Sequence, residues 1–245
     1  MVKTIHLFFE NSILSLGDMG NFAVILSGCG SLDGSDLWEV VLLSYYLSRK
    51  GENPVFFAPD AEQKEVVDYM TQATTQERRN VLGESARIAR GGIKETKDLS
   101  GRDVDGLILP GGYGVVKNLA DFLGEPEDKY LKPKPELQRI IREIYRRKKP
   151  IGVCGLASLL VASALRHILE TPLSLTIGKD PQLIRQVEEM GAVHVLSKGT
   201  EAVMDSEHKT VSTPASLLKL KFSDLASSIE NLINGVLELT LSKTS

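Results

Sequence analysis

Cys154 lies where a strand is expected to turn sharply into a helix. The short apolar run Ile151–Cys154 is followed by Gly155 and by a helix-prone segment over residues 156–169. Such a turn can expose a nucleophile at the strand's carboxyl end, and the N-terminus of the next helix would lower the pKa of the Cys154 thiol. The alternative is a buried strand cysteine without chemistry, because free cysteine is among the most buried residue types.

Glu39 is a carboxylate that could share a proton with such a thiol. Its neighbours on the first predicted helix are apolar: Leu37, Trp38, Val40, Val41, Leu42 and Leu43. In that company a carboxylate is expected to lose hydration, which raises its pKa and lets it hold a proton. The alternative is an ordinary glutamate on a helix surface. None of the 4 histidines adjoins Cys29 or Cys154 in the sequence, so a Cys–His pair is not indicated.

Two glycine-rich loops follow predicted strands. The loop over residues 27–34 contains Cys29, a possible second thiol, and has neither a dinucleotide fingerprint nor a Walker lysine. The loop over residues 110–114 contains Gly112 and Tyr113, and its tight backbone turn should leave several N–H groups exposed. Such N–H groups could stabilise an oxyanion, whereas the plain alternative is a pair of tight turns.

Strand-like and helix-like segments alternate along the chain. The predicted strands are 22–26, 54–58, 104–109, 151–154, 173–177, 193–196, 202–205 and 210–212, and the predicted helices are 35–50, 62–70, 135–148, 156–169, 181–190 and 215–241, the last with a break near 222. This alternation predicts an α/β fold with a doubly wound, mostly parallel sheet and helices on both faces. Ligands in such folds bind beyond the carboxyl ends of the strands, so the loops carrying Cys29, Gly112 and Cys154 should surround one cleft.

Composition limits the classes of function. The net charge is −3, with 29 basic and 32 acidic residues spread along the chain, which gives no case for nucleic acid or anionic membrane as a partner. The 2 cysteines are far apart and have no zinc-ligand spacing, so neither a disulfide framework nor a metal site is expected. A reducing compartment follows, and we expect a cytoplasmic location with an organelle left open.

The first 20 residues match neither a strand nor a targeting peptide. They contain no arginine, and their apolar patch is short for a secretory signal and lacks a small-residue cleavage site. We therefore predict residues 1–20 to be an extension, either disordered or a misassigned start, and residues 21–245 to be one domain. Deleting the extension is expected to leave the domain folded.

Several motifs, in order along the chain, resemble one family. They are Ser27-Gly28-Cys29-Gly30 with Asp33-Gly34-Ser35 and Glu39, Phe57-Ala58-Pro59-Asp60, Arg79-Asn80-Val81-Leu82, Pro110-Gly111-Gly112-Tyr113-Gly114, Leu175-Thr176-Ile177-Gly178, Glu189-Met190-Gly191-Ala192 and Thr213-Pro214-Ala215. The chain from about residue 21 onwards resembles the ElbB-type proteins, which are glutamine amidotransferase-like members of the ThiJ/PfpI superfamily.

The resemblance implies a fold, an assembly and an activity. The fold would be a flavodoxin-like, class I glutamine amidotransferase-like sandwich, and the assembly a homodimer. The activity would be that of a glutathione-independent glyoxalase, a lyase that converts glyoxal or methylglyoxal to hydroxy acids with Cys154 and Glu39 and without metal or organic cofactor. Backbone N–H groups of Gly112, Tyr113 and Gly155 would stabilise the oxyanion. The family also has an association with isoprenoid biosynthesis.

The chain departs from the family pattern at the strand–helix turn. The family reads Gly-x-x-Cys-x-Ala-Pro there, and an ungapped comparison from Lys149 puts Gly155 at the nucleophile position, with Cys154 one residue earlier and Ser158 in place of proline. A one-residue shift reverses side-chain direction on a strand, whereas a one-residue deletion would restore Cys154 to the turn. The rival function is accordingly a catalytically degraded, dimeric stress or regulatory protein. A glutaminase is less supported, because no histidine has a carboxylate two residues on.

Overall fold

The computed structural model describes residues 19–123 and 130–241, so most of the predicted extension 1–20 lies outside the described residues. The strands are β1 Asn21–Ile25, β2 Asn53–Ala58, β3 Ile93–Glu95, β4 Gly106–Leu109, β5 Ala120–Leu123, β6 Tyr130–Pro133, β7 Ile151–Cys154, β8 Ser174–Leu175, β9 Val193–His194, β10 Val203–Asp205 and β11 Thr210–Thr213. The α-helices are α1 Leu37–Arg49, α2 Val81–Ile88, α3 Gly114–Asn118, α4 Pro135–Arg146, α5 Ala157–Leu165, α6 Pro181–Glu189 and α7 Phe222–Leu241, and short 3-10 helices span Thr96–Asp98 and Ala215–Leu218.

A seven-stranded sheet forms the centre of the fold. Its strand order is β10-β11-β7-β4-β1-β2-β3, and every neighbouring pair is parallel except β10 with β11. The predicted doubly wound, mostly parallel sheet is therefore confirmed. The chain adds β2 and β3 on one side of β1 and then crosses to β4 on the other, so the carboxyl ends of β1 and β4 form a topological switch point, where ligands of such folds bind.

Helices cover both faces of this sheet. Buried apolar side chains form two clusters, one shared with α1, α2 and α7 and the other with α4 and α5. The first helix begins at Asp36, whose Oδ1 accepts hydrogen bonds from the N–H groups of Trp38 (3.0 Å) and Glu39 (3.2 Å). Its residues Val40 and Leu43 are fully buried against the sheet. None of the described helices combines the length and apolarity needed to cross a membrane.

Three local expectations differ from the structure. Residues 62–70 are not a helix. The N–H of Val67 donates to Asp33 Oδ2 (2.8 Å) and the N–H of Gln63 donates to the carbonyl of Arg79 (2.8 Å), so tertiary partners replace helical ones. The edge strand β3 was not predicted, since its three residues are only partly apolar. Gly20 belongs to the domain rather than to an extension, because its carbonyl accepts from the N–H of Asn53 (2.9 Å).

Candidate functional site

A cavity of about 230 Å³ opens at the carboxyl ends of β1, β4 and β7. It is lined by Ser31, Asp36, Glu39, Gly111, Gly112, Tyr113, Gly155, Leu156, Ser216, Leu217 and Lys219. The predicted loops thus meet at one site, and the chain after β11 completes it. A larger hollow of about 540 Å³ lies along α4, away from these strand ends. We take the smaller cavity as the candidate site because it adjoins the switch point.

Glu39 is buried at the floor of this cavity with 1% of its surface exposed. Its Oε2 accepts a hydrogen bond from the N–H of Gly111 (2.6 Å), and its Oε1 accepts one from the N–H of Ser216 (3.1 Å). Burial, and then the charge of Asp36, raises the pKa of Glu39 to about 7, although the contacts with Ser216 and Gly111 lower it. Glu39 is therefore a carboxyl group that exchanges its proton near neutral pH.

Gly155 forms the sharp turn between β7 and α5. Its φ is +51°, a left-handed conformation that glycine adopts without the steric cost of a Cβ. Cys154, one residue earlier, is the last residue of β7 and pairs with Thr213 of β11. The register is therefore the ungapped one, with glycine where the family pattern has its nucleophile.

Cys154 points away from the turn and into the packing beneath α1. The residue is fully buried in the same cluster as Leu26, Val40 and Leu43. Burial, the charges of Glu39 and Asp36, and a hydrogen bond with Glu39 together raise the pKa of the Cys154 thiol well above its ordinary value. The expectation that a helix N-terminus lowers this pKa is wrong, because the strand's alternation turns the side chain to the sheet face.

The second cysteine also lies outside the cavity lining. Cys29 is half-buried. Burial and the charges of Glu84 and Asp33 raise the pKa of its thiol, and the charge of Arg87 opposes part of this shift. The expectation that Cys29 faces the cleft is therefore not met: its loop contributes Ser31 to the cavity instead.

Only part of the predicted set of backbone donors is available to a ligand. The N–H of Tyr113 donates to the carbonyl of Ser31 (2.8 Å), and that of Gly155 donates to the carbonyl of Thr213 (2.9 Å), so both expectations need correction. The N–H of Gly112 has no acceptor among the described residues, and neither does the N–H of Leu156, which sequence reasoning did not single out.

Sequence reasoning also missed the segment that closes the cavity. Ala215, in a 3-10 turn, and Lys219, just after it, have φ values of +47° and +50°, so the α-helix predicted over residues 215–241 begins only at Phe222, where a break was predicted. Ser216 lies there beside Glu39, and its N–H donates to Glu39 Oε1 (3.1 Å). Asp36 lines the cavity as well as capping α1. No group of three histidine, cysteine, aspartate or glutamate side chains in the described part of the chain could hold a metal ion.

The two glycine loops touch through their backbones, which yields a stability prediction. The N–H of Gly114 donates to the carbonyl of Gly34 (3.0 Å), and a Cβ on Gly114 would lie 2.3 Å from the Gly34 Cα. Gly114→Ala should therefore lower the free energy of unfolding by about 3 kcal/mol or more, as measured by urea denaturation. The control is Gly83→Ala in α2, where a Cβ would meet only Asn80 at 3.8 Å; equal losses in both variants would contradict the close packing.

Known proteins resemble this chain over most of its length. No family model matches it. The rat "ES1 protein homolog, mitochondrial" is 36% identical over 228 residues, covering 89% of this chain and 83% of that protein. The human "Glutamine amidotransferase-like class 1 domain-containing protein 3, mitochondrial" is also 36% identical, covering 89% and 82%.

Proteins of known structure also resemble this chain over most of its length. The crystal structure of an isoprenoid biosynthesis protein with an amidotransferase-like domain from Ehrlichia chaffeensis is 35% identical, has a TM-score of 0.81, and matches over 89% of this chain and 99% of that one. Glyoxalase III from Candida albicans matches over 89% and 97% with a TM-score of 0.56, and at 13% identity it shares the fold alone. The chain therefore belongs to the ES1 family of glutamine amidotransferase-like class 1 proteins.

Proposed function

We propose that this protein binds a small molecule in a regulatory role and has lost the cysteine chemistry of its fold. The observation that carries the proposal is Gly155, which occupies the strand–helix turn with a φ of +51° and has no side chain to act as a nucleophile. The cavity around the turn is retained, with Glu39 and two backbone N–H groups that have no acceptor among the described residues, so binding can persist without catalysis.

The competing function is a glyoxalase that uses Cys154. Its support is the hydrogen bond between the Cys154 thiol and Glu39, which resembles a thiol–carboxyl pair. In that mechanism the thiolate attacks one carbonyl of a dicarbonyl to give a hemithioacetal. Glu39 then relays a proton between the two carbons through an enediol-like intermediate, which oxidises the first carbon to a thioester and reduces the second to an alcohol. Hydrolysis of the thioester releases a hydroxy acid and restores the thiol. Cys154 does not line the cavity and its thiol pKa is raised, so neither access nor ionisation favours the attack.

Native alkylation with iodoacetamide, followed by mass spectrometry, tests the proposal. We expect Cys29 to be modified well before Cys154, because Cys29 is half-buried whereas Cys154 is fully buried. We also expect no consumption of glyoxal or methylglyoxal above the rate of a Cys154→Ser variant, with Cys29→Ser as the matched control. Rapid labelling of Cys154, together with turnover that Cys154→Ser abolishes, would establish the glyoxalase and refute the binding role.

A homodimer is part of the same proposal. The outer face of α1 exposes Leu37, Trp38, Val41 and Tyr45, and Trp38 meets Phe222 of α7 edge-on with ring centroids 5.2 Å apart. An apolar patch of this kind beside the site supports self-association, which sedimentation velocity measures.

The location is proposed from the relatives. Both mammalian proteins are called mitochondrial, which supports placing this chain in the same organelle rather than in the expected cytoplasm. Imaging of the full chain fused to a fluorescent protein distinguishes the two compartments.

A further inference from the structure

The outer face of α4 is strongly basic, although the chain has a net charge of −3. Of the 11 residues from 139 to 149, six are basic and one is acidic. This helix lines the hollow of about 540 Å³ that lies away from the candidate site. We propose that the hollow is a second binding site, which takes a small ligand carrying a chain of linked phosphate groups. The inference goes beyond the proposed function, because it involves no residue of the cavity around Glu39.

The lining of the hollow has an excess of positive charge. Its charged residues are Arg139, Arg142, Arg146, Arg147 and Glu143. Burial raises the pKa of the Glu143 carboxyl, but the N–H of Gly101 and the charges of the neighbouring arginines lower it overall, so this group is ionised at neutral pH. Four guanidinium groups against one carboxylate leave three positive charges in excess, and the hollow therefore attracts a multiply charged anion.

Backbone carbonyl groups orient two of these arginines. Arg142 Nε donates to the carbonyl of Ala164 (2.7 Å). Both Nη groups of Arg139 donate to the carbonyl of Leu99 (3.2 Å). A neutral carbonyl fixes the direction of a guanidinium group without cancelling its charge. The two Nη groups of Arg142 have no acceptor in the described part of the chain, so they can donate to a ligand.

Glu143 engages only part of the remaining guanidinium groups. Its carboxylate accepts from Arg147 Nε (3.1 Å) and from Arg139 Nη1 (3.4 Å), both at the i,i+4 spacing of a helix. The Nη groups of Arg147 have no acceptor among the described residues, and Arg146 makes no hydrogen bond with any of them. Arg142, Arg146 and Arg147 thus present unused donors on adjoining turns of the helix.

Unused guanidinium donors favour phosphate as the anion. The planar guanidinium fork matches the oxygens of a phosphate group and binds them in pairs. A single phosphate has oxygens for one or two such forks, whereas linked phosphates can engage Arg142, Arg146 and Arg147 together. A chain of phosphates also carries enough negative charge to neutralise the excess in the hollow.

The macrodipole of α4 explains only part of this cluster. Basic side chains are stabilised at the carboxyl end of a helix, which accounts for Arg146 and Arg147. Arg139 and Arg142 lie in the middle of the helix, where the macrodipole has little effect. Their place in the lining of the same hollow has another explanation in an anionic ligand.

The hollow suits a small ligand better than a macromolecule. Its volume of about 540 Å³ lies within the range of roughly 300–1,000 Å³ that is typical of ligand pockets. The described lining contains no aromatic ring on which a nucleic-acid base could stack, and no large apolar side chain that could insert into a membrane. The net charge of the whole chain would also repel the rest of a long polyanion.

The test is isothermal titration calorimetry of the full chain with sodium tripolyphosphate at low salt. We expect tripolyphosphate to bind at least about tenfold more tightly than orthophosphate at the same ionic strength, because it engages more guanidinium groups. Arg146→Gln should weaken tripolyphosphate binding about tenfold, and Arg146→Lys about threefold, since lysine keeps the charge and loses the fork. Neither variant should lower the melting temperature, because Arg146 makes no hydrogen bond within the described residues.

Adenosine triphosphate as a second probe separates two sources of the phosphate chain. An affinity near that of tripolyphosphate supports recognition of the phosphates alone, which the polar lining leads us to expect. A higher affinity supports a nucleotide within the same ligand class.

The matched control is Arg185→Gln, which removes the same charge from an exposed arginine on α6 outside this lining. Lys219→Gln removes a cation from the cavity around Glu39 and should also leave the binding unchanged. Equal losses in the Arg146 and Arg185 variants, a loss in the Lys219 variant, orthophosphate binding as tightly as tripolyphosphate, or no binding at millimolar concentration would each overturn the inference. Tighter binding of a single-stranded RNA or of anionic phospholipid vesicles than of tripolyphosphate would assign the surface to a macromolecule and overturn it as well.

Discussion

Gly155→Cys should create a thiol that alkylates at neutral pH about ten times faster than Cys154 of the same protein. The new side chain would extend from the turn that begins α5, where the helix N-terminus lowers a thiol pKa by one unit or more. Cys154 would stay buried beneath α1 with its raised pKa. Rates at the two sites can be read from one sample by peptide mass spectrometry after timed iodoacetamide quenching.

The variant also tests whether the rest of the site still supports chemistry. If only the nucleophile has been lost, Gly155→Cys should gain dicarbonyl turnover that depends on Glu39. The matched control is Gly155→Ala, which bears the same left-handed strain of roughly 1–2 kcal/mol and the same contact of its Cβ with Leu217 at 3.2 Å, but has no thiol. A thiol at this position that reacts no faster than Cys154 would show that the turn is not a nucleophile site.

The sequence predicts the architecture well because the architecture depends on repeated, local signals. Apolar runs followed by glycine-rich loops identified β1 and β4, and the apolar segment around Glu39 identified α1. These features depend on residues close together in the chain, where periodicity and capping act. The burial of Glu39 also follows from its apolar neighbours on the helix.

The sequence could not predict whether Cys154 or Gly155 occupies the turn between β7 and α5. Cys154 and Gly155 differ by one position, and both an ungapped strand and a one-residue deletion fit the local pattern. The distinction depends on which residue adopts a positive φ and on the pairing of Cys154 with Thr213, a partner from another strand. A period of two gives the alternation of side chains but not its phase.

The segment over residues 215–219, which closes the cavity, could not be predicted from the sequence for a similar reason. Ser216 meets Glu39 across 177 residues of sequence, and no local pattern reports such a contact. The apolar residues after Ala215 favour helix, whereas the left-handed conformations of Ala215 and Lys219 confine them to a short 3-10 turn. Uncommon backbone conformations of this kind are held by their surroundings, and they often accompany functional sites.

Glu39→Gln should remove a large pH dependence from the stability of the protein. The pKa of Glu39 is about 7 in the folded protein and about 4.5 in the unfolded chain, so between these values the folded state holds a proton that the unfolded state has released. Stability from this group is fully present below about pH 4.5 and is lost as pH rises through 7. A difference of about 2.5 units corresponds to about 3 kcal/mol.

The measurement is urea unfolding of the wild type and the variant at several values between about pH 4.5 and pH 8. The amide of the variant cannot accept hydrogen bonds from both N–H groups that donate to Glu39, so the free energy of unfolding of Glu39→Gln will also be lower than that of the wild type. The informative quantity is therefore how the difference in free energy of unfolding between the two proteins changes with pH. That difference should shift by about 3 kcal/mol in favour of the variant as pH rises. Glu189→Gln, at an exposed position on α6, should show no such shift. Parallel curves for the wild type and Glu39→Gln would mean that burial does not raise the pKa of Glu39.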